Sequence, residues 1–163
     1  MKHHFSLTTQ SPKKWVVAGL AAAAALALDL ITKAMAEARL PLGEFREVVP
    51  FLGLERTMNT GAAFGLFAGR PGLILVARVL ALAVVVVYLF FEIRPLLSGV
   101  AAGVLVGGSI GNIVDQVTKG YVTDFLKLPW WPNFNLADVF IVVGTGLLLL
   151  SLLLAWRNAD RKP

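Results

Sequence analysis

Four apolar stretches, each long enough to cross roughly 30 Å of hydrocarbon as a helix, dominate this chain at approximately residues 15–33, 73–91, 96–114 and 139–156. With 57% hydrophobic and only 15% charged residues, the chain cannot build a soluble domain of its size. The reading is a membrane all-α fold. Residues 1–163 form one integral membrane domain of four transmembrane helices, with external segments at approximately 40–68 and 115–138. Glu92-Ile93-Arg94-Pro95 is short enough to join antiparallel neighbours, and Pro95 suits a helix start.

An even number of spans places both termini on one side. Basic residues flanking the first and last spans, among them Lys13, Lys14 and Arg157, favour a cytoplasmic location for both. Trp15 and Trp156 then mark the inner interface, and Trp130 with Trp131 the outer one. Lys13-Lys14, the apolar run after it and Ala34-Met35-Ala36 also have the outline of a cleavable secretory signal. Asp29 and Lys33 stand at the i, i+4 spacing of an ion pair, which favours a retained helix instead. The net charge of +5 comes from residues gathered at chain ends and loop boundaries, a pattern that suits anionic membrane lipids and not nucleic acid.

Between Leu40 and Thr57, the β-prone pieces Glu44 to Val49 and Phe51 to Glu55 are bounded by Pro and Gly. They predict a small extracytoplasmic β-platform between helices 1 and 2, lying on the membrane surface. Residues 119–136 read as an aromatic, Pro-containing loop at headgroup depth.

The chain has no Cys, and its histidines are His3 and His4 near the N-terminus. Ser-His triads, Cys nucleophiles and His-bearing zinc sites therefore lack their parts. A pair of acids acting on water remains available. Asp124 and Asp138 lie beside the fourth apolar run, where carboxylates are expensive to keep. Two such groups brought together cannot both ionise cheaply, so one would hold a proton near neutral pH. Asn135 has the position of a helix N-cap and Asp138 of the N3 residue, so the helix dipole should favour an anionic Asp138 and leave the proton on Asp124. Read singly, Asp138 is better explained as a helix cap and Asp124 as an exposed loop acid than as catalytic groups.

Gly99, Gly103, Gly107 and Gly111 recur every fourth residue of the third span and predict close helix packing. Asn112 and Asp115 share a face at that helix's outer end, either as a hydrogen-bonded cap or as groups orienting an acid. Asn59-Thr60-Gly61-Ala62-Ala63-Phe64 would let backbone approach a ligand, or form an ordinary turn. Arg78, inside the second span, would either snorkel outward or answer one of the acids.

Five pieces in order resemble the lipoprotein signal peptidase family, also called signal peptidase II. They are Asp29 to Lys33, Asn59 to Phe64, Gly107 to Asp115, Val122 to Phe125 and Phe134 to Asp138. The resemblance implies an aspartic endopeptidase that cleaves diacylglyceryl-modified prolipoproteins before the lipid-bearing cysteine, at the outer face of the bacterial inner membrane. It implies a catalytic pair at Asp124 and Asp138, with Asp29, Lys33, Asn59, Gly61, Gly108, Asn112, Asp115 and Asn135 binding substrate or supporting the site. No metal or organic cofactor is implied, and globomycin-type peptides are implied inhibitors. One departure stands out: the family usually carries Arg after the aspartate matching Asp115, and this chain has Gln116, which keeps hydrogen bonding but loses charge and fork geometry.

A small transporter relaying protons through intramembrane carboxylates is the competing function, and a purely structural helical partner a third. Transport calls for a polar path across the membrane, whereas the polar residues here fall toward one predicted face.

Overall fold

The computed structural model describes residues 12–60, 71–91 and 95–159. The elements run α1 (Pro12–Arg39), β1 (Phe45–Val49), β2 (Leu52–Asn59), α2 (Pro71–Phe91), α3 (Pro95–Lys119), β3 (Val122–Lys127) and α4 (Leu136–Ala159). Three helices open on a proline, whose fixed φ and missing N–H cost nothing in the first turn. α3 closes on Gly120, at φ +80°, whose N–H bonds back to the Gln116 carbonyl at 3.2 Å. The Glu92-Ile93-Arg94 connection and the loop of Gly61 lie outside the described residues.

α3 is the central helix. In its apolar stretch 61% of residues are buried, against 17% in α1 and in α4. The glycines explain how the neighbours come so close. A Cβ on Gly103 would stand 2.5 Å from the Ala18 carbonyl oxygen, one on Gly107 2.4 Å from that of Ala22, and one on Gly144 of α4 2.7 Å from that of Ala101. Such stripes bring helices to backbone contact, where van der Waals packing replaces the hydrophobic effect that lipid cannot supply.

Burial is inverted relative to a water-soluble domain. Leu20, Leu28, Ile31, Leu80, Val84, Val142 and Leu153 are exposed, while Asp29, Lys33, Asn112 and Asp115 are buried. Among the described residues, α1, α3 and α4 are long and apolar enough to span a bilayer, and the apolar part of α2, Gly72–Val87, is shorter. Three of the helices overrun the apolar stretches that announce them: α1 continues unbroken past Ala34-Met35-Ala36, α3 reaches Lys119, and α4 starts at Leu136. In these extra turns Lys119 pairs with Glu37 and Asp115, and Asp138 is held by Asn112 and Asn135.

The platform is an antiparallel sheet in the order β1-β2-β3. Its first two strands match the expectation, but the third corrects it. Residues 122–127, expected within a loop, form a strand whose partner is β2, with Thr57 opposite Asp124 and Asn59 opposite Val122. Local pattern could not announce β3, because Val122, Thr123, Asp124 and Phe125 are all buried and the usual alternation is missing. Phe125 fastens the sheet to the bundle, packing with Ala36 and Leu40 of the α1 end and with Leu136 of α4.

Both loops at the platform turn on a proline followed by an aromatic residue. Phe51, after Pro50, has φ +71°, and Trp130, after Pro129, has φ +64° with the Trp131 N–H bonded to the Leu128 carbonyl. Pro followed by a left-handed residue is the type II turn pattern, usually completed by glycine. Here the turns hold aromatic rings outward instead, Phe51 at 78% and Trp130 at 100% exposure.

Candidate active site

The site forms where three helix ends meet the sheet, and Asn135 ties it together. Its side-chain oxygen accepts from the Asp138 N–H at 3.0 Å, and its own N–H donates to Asp138 Oδ2 at 3.1 Å. This is a capping box in which aspartate takes the reciprocal place, as the sequence predicts. The Asn135 amide nitrogen then donates to Asp124 Oδ1 at 2.7 Å and to Asn112 Oδ1 at 3.1 Å. One side chain therefore caps α4, fixes Asp138 and reaches Asp124.

The second oxygen of Asp124 accepts from the Asn59 amide at 2.9 Å. Thr57 faces Asp124 across the ladder, and Asn59 projects two residues on from the same face of β2, so strand register sets this contact. Asp138 Oδ1 accepts from the Asn112 amide at 2.8 Å. Both carboxyl groups are thus held by neutral donors. Burial, reinforced by the nearby Asp138 charge and opposed by the two asparagine hydrogen bonds, pushes the Asp124 carboxyl up to about 7. The pair is chemically able to offer a carboxylate and a carboxylic acid together near neutral pH.

Behind the pair stands a buried ionic cluster. Lys33 meets Asp29 at 2.7 Å and Asp115 at 3.5 Å, and donates to Asn112 Oδ1 at 2.9 Å. Asp29 also accepts from the Ala137 N–H at 2.9 Å, which ties α1 to the first turn of α4. Asp115 accepts from the Thr123 N–H at 3.0 Å and pairs with Lys119 at 2.8 Å, which ties α3 to β3. Lys119 and the Thr123 hydroxyl both bond to Glu37. These contacts orient the two elements that carry Asp124 and Asp138.

Two glycines make room for this. A Cβ on Gly111 would fall 2.2 Å from Asp29 Oδ2, and one on Gly108 2.6 Å from the Ala137 carbonyl oxygen. Of the ten residues singled out from sequence, nine are brought together, with Gly108 contributing space; Gly61 lies outside the described residues. Gln116 turns to its own chain: its amide donates to the Gly120 carbonyl at 3.0 Å, closing the last turn of α3. Sequence reasoning read Gly111 only as a packing residue and gave no site role to Glu37, Lys119 or Thr123. The i, i+4 spacing of Asp115 and Lys119 was a usable signal, whereas the Glu37 contacts depend on a strand placement that sequence did not reveal.

Residues 21–154 match the profile of the signal peptidase (SPase) II family. The lipoprotein signal peptidase of Symbiobacterium thermophilum is 39% identical over 140 residues, covering 82% of this chain and 92% of that protein. That of Mesorhizobium japonicum is 38% identical over 163 residues, covering 93% and 95%. Among solved structures, a bacterial membrane enzyme determined by the in meso method at 2.3 Å superposes with a TM-score of 0.79 at 29% identity, covering 90% of this chain and 93% of that one. A match spanning all four helices and the sheet leaves no part of the site outside the likeness, and the chain belongs to the signal peptidase II family.

Proposed function

We propose that the chain removes signal peptides from diacylglyceryl-modified bacterial prolipoproteins, using Asp124 and Asp138 to activate water. The observation that carries this is the coupling of the buried Asp124 carboxyl group to the half-buried Asp138 carboxyl group through Asn135, with amide donors and, among the described residues, no cation bonded to either. With the shared proton on Asp124, Asp138 takes a proton from water as its oxygen bonds to the scissile carbonyl carbon. Asp124 protonates the carbonyl oxygen. Collapse then breaks the C–N bond, and the departing amine of the lipidated cysteine takes up the proton. No metal or organic cofactor takes part.

The reading extends to topology. Four spans leave both termini in the cytoplasm and put the carboxyl pair near the outer face of the inner membrane, and membrane lipids surround the exposed apolar helix faces. The charged and amide side chains around the pair come from one end of the bundle: the α1 and α3 C-terminal turns, the α4 N-terminus and the sheet. A single-ended polar pocket suits hydrolysis at a surface better than a path for ions. Acyl chains of the substrate, each buried CH₂ worth about 0.8 kcal/mol, would anchor it in lipid beside the helices. Globomycin-type peptides would occupy the same cleft.

The test is cleavage of a diacylglyceryl-modified prolipoprotein by purified protein in detergent, with Asp124→Asn and Asp138→Asn assayed separately and with a chelator present. Loss in both variants and indifference to the chelator are expected. Normal turnover by either folded variant removes that residue from the pair.

A further inference from the structure

α2 carries one charged residue, Arg78. An arginine this deep in an apolar helix can snorkel to the surface or turn inward to a partner. Arg78 turns inward without reaching one: its Nη1 is buried and has no hydrogen-bond partner among the described residues. Its charge is felt by both Asp138 and Asp124, yet it makes no ion pair within 4.0 Å of either. The guanidinium thus lies near the carboxyl pair without an ion pair to either member.

Packing agrees. Among the described residues, α2 packs chiefly against α3, and neither β3 nor α4 packs extensively against it. A buried donor left unbonded is costly and calls for an acceptor that arrives later. A peptide laid beside the carboxyl pair presents carbonyl oxygens, the acceptors that a guanidinium N–H can use.

We infer that Arg78 is a substrate-binding residue whose free Nη1–H donates to a backbone carbonyl oxygen of the signal peptide held between α2 and the Asp124–Asp138 pair. The inference rests on the proposed peptidase function. It assigns to α2 a grip on the peptide that is independent of the acyl anchor, and it explains why the carboxyl pair leaves a nearby guanidinium unbonded.

The experiment measures KM and kcat for a diacylglyceryl-modified peptide in phospholipid-free detergent, using the full chain and its Arg78→Met, Arg78→Gln and Arg78→Lys variants, with Asp124→Asn alongside. Arg78→Met is expected to raise KM about tenfold or more with kcat changed less than about threefold. Arg78→Gln, which keeps a neutral donor, should fall between it and the parent. Melting temperatures should be unchanged or higher, since an unbonded buried donor is removed. A KM for Arg78→Met within twofold of the parent overturns the inference. So does a loss that emerges only when phospholipid is added, which would assign the donor to a headgroup phosphate, or a fall in melting temperature that parallels the loss in every variant. Should Arg78→Met fail to fold, an unaltered KM in Arg78→Gln overturns the inference and a raised one supports it. Activity retained by Asp124→Asn would instead break the peptidase reading of the carboxyl pair, whatever Arg78 does.

Discussion

Two pairs of carboxyl groups, all buried but the half-buried Asp138, lie side by side in this protein and are held in opposite ways. Asp29 and Asp115 are answered by cations, Lys33 and Lys119, at 2.7 and 2.8 Å. Asp124 and Asp138 are answered by the amides of Asn59, Asn112 and Asn135 and by one backbone N–H. Asn112 belongs to both groups, accepting from Lys33 and donating to Asp138. A cation fixes a carboxylate in place and fixes its charge. An amide donor favours the charged form less than a cation does, so at Asp124 burial outweighs it and the proton stays available for exchange. The first arrangement builds a frame, and the second keeps a working acid.

The comparison can be broken most severely from the frame side. Lys33→Met leaves Asp29 and Asp115 buried without their shared cation and should cost about 3–5 kcal/mol, measured as a large drop in detergent melting temperature together with loss of cleavage. Asp124→Asn should do the reverse. Its activity is expected to fall by roughly 10²–10⁴, while its melting temperature at neutral pH holds or rises. Equal thermal losses in the two variants would erase the distinction.

Smaller effects sharpen it. Gly111→Ala forces a methyl group onto the Asp29 carboxylate, 2.2 Å away before relaxation. A loss of about 1–3 kcal/mol is expected, seen in thermal unfolding, with activity falling in step because Asp29 anchors the α4 start. The pH dependence of stability has a definite sign. Asp124 is raised from 3.8 to about 7, so the folded state binds its proton more tightly than the unfolded chain does. That contribution is fully present below about 4 and is lost as pH rises through about 7. Melting temperatures across this range should decline in the parent and flatten in Asp124→Asn, and cleavage should weaken on the alkaline side as the shared proton leaves. An identical pH slope in both proteins would remove Asp124 as its source.

Much of the frame was legible before any coordinates. The apolar runs located the helices, the glycine spacing of α3 announced its close neighbours, and Asn135 with Asp138 declared a helix start. What escaped reading was long-range. β3 lacks alternation because the bundle covers one of its faces and the site occupies the other, so only its pairing with β2 reveals it. The helix overruns were likewise invisible, since Glu37 and Lys119, beyond the apolar runs, look like loop charges until they are seen to pair across the fold. Gln116 looked like a gap in the site and instead closes the last turn of α3. Arg78 was recognised as a residue with two possible directions, and only its buried nitrogen chose between them.

The double duty of Asn135 has a further consequence. The bonds that begin α4 are also those that hold Asp138 and reach Asp124, so unwinding a single turn there would part the carboxyl groups while the rest of the bundle stood intact. Heat should therefore silence the protein before it melts, and any molecule that clamps the start of this helix would act as a thermal safeguard for catalysis.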